Sequence, residues 1–145
     1  MTQDEARRLI LETTADWVED EESAVVWSGE YEGRPGLRMS QETRDFTTLW
    51  FDVGERTVGL EAYLLPAPQV HREEVYRQCL FRNRRSWPVS IAVDREGDLY
   101  IVGRIPLELF DRTHIDQAVG AVYELVDLSF RPLVRIGFSG REKTT

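Results

Sequence analysis

Three stretches carry residue types that could do chemistry. In "DRTHID" (Asp111–Asp116), His114 stands between two carboxylates, Asp111 and Asp116. On paper this is a general base with an orienting acid, the pairing that moves protons near neutral pH. All three side chains, however, fall at the start of a helix, where acids cap free N–H groups and meet the positive dipole end. In "DREGD" (Asp94–Asp98) acids alternate as they do in a calcium loop. Such a loop needs glycine at its sixth position and a bidentate glutamate at its twelfth. Here glycine is fourth (Gly97) and the twelfth residue is Ile105, so a plain turn is predicted. "LFRNRRSWP" (Leu80–Pro88) crowds Arg82, Arg84 and Arg85 together. A nucleic-acid site would interleave more bases with exposed aromatics on an acid-free face. Cations at the end of a helix, complementing its negative pole, are the simpler reading.

The remaining reactive side chains are isolated. Cys79 is the one cysteine, which excludes an internal disulfide and suits a reducing compartment. It lies on an apolar stripe and is expected to be a small core residue, not a nucleophile. His71 and His114 have no second histidine at ligand spacing, and the glycines form no phosphate-binding loop. No catalytic, metal-binding or cofactor-binding residue is assigned.

Charge narrows the partners. The chain of 145 residues carries a formal net charge of −8. Residues 1–33 hold ten acids against Arg7 and Arg8, while the other 112 residues carry 16 acids and 16 bases. That acidic end repels nucleic acid and anionic lipid, and would attract a basic segment if it is more than a solvent coat. No apolar run approaches the ~20 residues of a membrane span, and the N-terminus lacks the basic start and apolar stretch of a signal peptide. A cytoplasmic protein with no nucleic-acid or membrane partner is expected.

Hydrophobic periodicity supplies the elements. Ala6, Leu9, Ile10, Thr13 and Trp17 recur at helical spacing, predicting an acidic helix over about 3–20. "AVVWSGEYEGRPG" (Ala24–Gly36) holds three glycines and Pro35 and is expected to be mostly loop, with at most a short strand near Val25–Ser28. "LRMS" leads into "DFTTLWFDV", and "RTVGLEAYLLP" returns. Leu49, Phe51 and Val53 share a face with Val58, Leu60, Ala62 and Leu64, while Trp50 and Tyr63 point the other way. A second helix runs from about Gln69 to Asn83, with Tyr76, Cys79, Leu80 and Asn83 inward, Val75 beside them, and Asn83 able to end it in the left-handed conformation. A second hairpin puts Val89, Ile91 and Val93 opposite Leu99 and Ile101, with Tyr100 outward. The last helix starts near Thr113, buries Ile115, Ala118, Val119, Val122, Val126 and Leu133, and adds a second apolar strip at Tyr123, Phe130 and Leu125. Pro132 predicts a kink or break near Leu128–Arg131. The tail, 138–145, is expected to fray.

This order of elements resembles the small α+β fold of type III secretion chaperones, and more closely the YbjN-like proteins of bacteria, especially their actinobacterial branch. "DFTTLWFDVGERTVGLEAYLLPAP", "VYRQCLFRN", "GDLYIVGRIPL" and "HIDQAVGAVYELVDLSFRPLVRIGF" carry the likeness, over roughly residues 36–138. It implies one domain, 1–145, arranged α-β-β-β-α-β-β-α, with about five antiparallel strands and helices packed on them. The chaperones are cytoplasmic homodimers without enzymatic activity that hold extended segments of partner proteins on apolar patches. YbjN-like proteins are described as sensory-transduction or stress regulators, and no catalytic motif comes with them. Actinobacteria generally lack type III secretion, so a secreted client is not implied. A homodimeric, non-enzymatic protein-interaction module is therefore expected, binding a protein or peptide partner through Trp50, Tyr63, Tyr100, Tyr123 and Phe130. For the last two, burial under the loop of residues 24–36 is the competing expectation. The functional alternative is a small-ligand binder or enzyme with a cleft near the start of the last helix.

Overall fold

A computed structural model describes residues 1–138. The order is α1 (Gln3–Glu19), β1 (Val25–Tyr31), β2 (Arg34–Ser40), β3 (Phe46–Val53), β4 (Thr57–Leu65), α2 (Arg72–Asn83), β5 (Val89–Val93), β6 (Leu99–Pro106), a 3₁₀ turn (Leu107–Leu109) and α3 (Arg112–Gly137). The strands form one antiparallel sheet in the order β1-β2-β3-β4-β6-β5. Helices cover one face, with α1 on β1, α2 on β5, and α3 against strands β4 to β6 and both other helices.

The sheet has six strands, not about five. Residues 24–36, expected to be mostly loop, form β1 and the start of β2. Glu32 (φ 53°) and Gly33 (φ 77°) make a two-residue turn whose left-handed geometry matches the twist of the flanking strands. Pro35 does not prevent this. It pairs with Glu30 beyond the last β2 residue that meets β3, at a point where its missing N–H costs no ladder bond. Along β3 and β4 the predicted alternation holds: Leu49 pairs with Ala62 and Phe51 with Leu60, all buried under the helices.

The helices differ from expectation at particular residues. In α2, Val75 and Cys79 are buried, but Leu80 is largely exposed. Asn83 is not left-handed; its side chain turns inward, donating through Nδ2 to Ile91 O (2.9 Å) and accepting from Ile91 N through Oδ1 (2.7 Å). That closes the outer edge of β5, while Val93 at the strand's end is exposed. The cap of α3 is Asp111, not Thr113: its Oδ1 accepts from His114 N at 2.8 Å. Nor does Pro132 break α3, which runs unbroken over 26 residues. Proline removes the N–H that would have bonded the carbonyl four residues back, Leu128 O, and Arg82 Nη1 of α2 supplies the missing donor at 3.1 Å. Arg82, part of the basic cluster, thus completes a neighbouring helix. Phe138 closes α3 by donating its N–H to Val134 O (2.9 Å). The rest of the tail expected to fray, 139–145, lies outside the described residues.

Candidate partner-binding face

Among the described residues nothing covers the sheet face turned away from the helices, and aromatic rings collect on it. Trp50 projects from β3 onto Gly36 of β2, where a Cβ would stand 2.5 Å from the ring, so only glycine admits it. Trp27 of β1 meets this ring edge-on at 6.3 Å, Tyr31 lies 6.4 Å from it, and the Arg34 guanidinium sits 5.6 Å over it. Arg34 grips Asp52 with two bonds of 2.7 and 2.9 Å and reaches Glu61 at 3.3 Å. These carboxylates hold the guanidinium pKa above its ordinary value, Asp52 foremost. A second pair, Tyr63 of β4 and Tyr100 of β6, is directly cross-strand with rings 5.5 Å apart. Burial, then the nearby Asp94 and Asp98 charges, raises both phenol pKa values, so the hydroxyls stay neutral donors. Phe46, beneath Arg38 at 5.7 Å, extends the face. Between the two ring groups lies an open cleft of about 290 Å³ lined by Arg34, Arg44, Phe46, Trp50, Tyr63 and Tyr100. Tyr31 is 65% and Tyr63 45% exposed.

Of the five residues picked from the sequence, the structure brings together Trp50, Tyr63 and Tyr100. Tyr123 and Phe130 belong to the helix layer and are half-buried there. Tyr123 lines a cleft with Ala24, Val25 and Met39; Phe130 lies 5.2 Å beneath the guanidinium of Arg44. Tyr123 thus lies beside the start of the 24–36 segment, whereas Phe130 lies under the β2–β3 loop, which Gln41 and Thr43 tie to Asp127 (both 2.9 Å) and Arg131 ties to α3 through Glu42 O (3.0 Å). Sequence reasoning missed Trp27, Tyr31 and Phe46. For Trp27 and Tyr31 the signal was the alternation Trp27, Gly29, Tyr31 ahead of a Glu-Gly turn, hidden because the segment read as loop; for Phe46 it was the period of two that it shares with Trp50.

The reactive-looking residues are employed in structure. His114 Nδ1 lies 2.6 Å from Asp111 Oδ1, the same oxygen that caps α3. That cap, first through the His114 backbone N–H, draws the Asp111 pKa below its usual value. A cleft beside the first half of α3 is lined by Asp116, Trp17 and Tyr123. Asp94 accepts from the N–H groups of Glu96 and Asp98 (both 3.0 Å), and Asp98 accepts from Ala67 N (2.8 Å), so the alternating acids build the turn. Burial pushes the Cys79 thiol up to about 11. Among the described residues no three His, Cys, Asp or Glu side chains are placed to share a metal, and no helix is long and apolar enough to cross a membrane.

Helices packed on one side of a six-stranded antiparallel sheet give an α+β fold of the secretion-chaperone type. The chain is similar over 86% of its length to a chain of the heterodimeric ExoU-SpcU complex from the type III secretion system of Pseudomonas aeruginosa (96% of that chain, 18% identity, TM-score 0.57). It is similar over 92% to a chain of the ExsC-ExsE complex (97% of that chain, 16% identity, TM-score 0.61). At these identities the likeness is one of fold. The family follows from the sequence: YbjN, described as "Putative bacterial sensory transduction regulator", matches residues 11–134, and the chain belongs to it. An uncharacterised protein of Mycobacterium tuberculosis is 42% identical over 86 residues, 59% of this chain and 47% of that protein. One of Mycobacterium leprae is 40% identical over 102 residues, 70% of this chain and 55% of that protein. The chain thus spans about half the length of the curated relatives it matches.

Proposed function

We propose that this protein is a non-enzymatic, cytoplasmic binding module, a regulator or chaperone-like protein that holds a segment of a partner protein and acts as a homodimer. The observation that carries the reading is the uncovered sheet face, where Trp27, Tyr31, Phe46, Trp50, Tyr63 and Tyr100 stand exposed or half-exposed. Rings interleaved with paired arginines give large contact area at low entropic cost and grip side chains of varied shape, as a module for extended segments requires. With the edge of β5 closed by Asn83, β1 is left as the edge where an extended segment could add a strand. The complexes named for the two structural neighbours are consistent with a protein partner.

Affinity capture from native lysate tests this, comparing wild type with Trp50→Ser/Tyr63→Ser/Tyr100→Ser and Tyr123→Ser/Phe130→Ser. A partner retained by wild type and the α3 variant but lost by the sheet variant is expected. Equal recovery by all three would overturn the reading.

A further inference from the structure

The helix layer carries a second uncovered surface, separate from the aromatic sheet face. Between the end of α2, the turn after it and the middle of α3 lies a cleft of about 260 Å³ lined by Phe81, Trp87, Leu125 and Leu128 together with Arg82 and Arg85. Phe81, Trp87 and Leu128 are 55%, 75% and 58% exposed. Large apolar side chains gathered at one cleft mark a surface that another chain covers. Its charge indicates which. Arg84 adds a third guanidinium next to Arg85, against one acid, Glu124, in the lining. Among the described residues none of the three arginines is in an ion pair. Arg82 Nε and Ser129 Oγ, both from lining residues, are buried without a hydrogen-bond partner. Packing this cleft on its own copy would bring like charges together, which Coulomb repulsion opposes. An acidic segment complements it.

The chain carries such a segment at the end of α1. Glu19, Glu21 and Glu22 are exposed and outside every ion pair among the described residues, with Val18 exposed beside them. Within one molecule the two surfaces are kept apart. Asp20 and Glu22 lie beside Asp116, Val119, Gly120 and Tyr123 of α3, whereas the arginine cleft opens on a different side of that helix, at Ala121, Glu124, Leu125 and Leu128. We infer that the acidic turn at 18–22 of one copy seats on the arginine–aromatic cleft of a second copy. A two-fold axis midway between the surfaces makes both contacts at once and closes the pair. The inference rests on the homodimer part of the function proposed above and specifies its contact.

Sedimentation velocity at about 50 mM and about 500 mM salt reads this association, because screening weakens exposed charge pairs. The variants are Arg84→Glu/Arg85→Glu, Glu21→Arg/Glu22→Arg and the combination of all four, each checked for folding by its circular-dichroism melting curve. Wild-type association is expected to weaken about tenfold or more at high salt and in either double variant, a size that follows from losing several charge pairs. The fourfold variant, with the signs exchanged, is expected to recover it. A dimer of unchanged strength in both double variants would overturn this contact and leave homodimerisation standing. A strictly monomeric wild type at low salt would overturn both.

Discussion

Single residues with chemical potential turn out to be committed to the fold, and each commitment is measurable. Cys79 carries a thiol raised to about 11 by burial, so few thiolates exist at neutral pH. Iodoacetamide is expected to label it slowly in the native protein and rapidly in urea, by mass spectrometry. Asp111 caps α3 with its pKa held below the usual carboxylate value, so its ionised form is favoured by folding. The stability it contributes is therefore present above the unfolded value, about 4, and is lost as pH falls through the lower folded value. Asp111→Asn is expected to lower the melting temperature at pH 7, with a gap that narrows toward pH 3. Arg82 has a different role. Its bond to Leu128 O replaces the one Pro132 cannot make, and Arg82→Met is expected to cost about 1–2 kcal/mol in urea unfolding. In a Pro132→Ala background the helix can supply its own N–H, so the cost should shrink by about 1 kcal/mol. Additive effects would show that Arg82 acts through other contacts.

At the level of elements, how far the sequence could be read depended on whether a pattern was local. The β3–β4 hairpin was legible because Leu49, Phe51, Val58, Leu60 and Ala62 keep strict alternation. The β1–β2 hairpin was not, since Gly29, Gly33, Pro35 and Gly36 carry the signature of a loop. Only the structure shows that Gly36 is bare to receive the Trp50 ring from another strand. Gly36→Ala should therefore displace that ring, costing about 1–3 kcal/mol by overpacking and shifting tryptophan emission. In a Trp50→Ser background the same substitution should cost much less. The unbroken α3 is a similar case: Pro132 predicts a break, and the donor that satisfies Leu128 O comes from Arg82 of α2, 46 residues from Leu128 in sequence.

For the whole molecule, one sheet buries its hydrophobic face under all three helices, so residues 1–138 should unfold as a unit. Trp27 and Trp50 report on the open sheet face, Trp17 and Trp87 on the helix layer. Fluorescence and circular dichroism are expected to give one coincident urea transition; separate midpoints would divide the domain. The sequence by itself determined the α+β class, the alternation of the central strands, the buried stripe of α3 and the concentration of negative charge before residue 34, because all of these are written in spacing and composition. It could also place Trp50, Tyr63 and Tyr100 on outer strand positions, since side chains alternate with period two. Only tertiary structure decided that these three share one surface with Trp27, Tyr31 and Phe46, and that Tyr123 and Phe130 belong to the opposite layer. Strand order and the covering of one face arise from contacts between residues far apart in the chain, which no local period encodes.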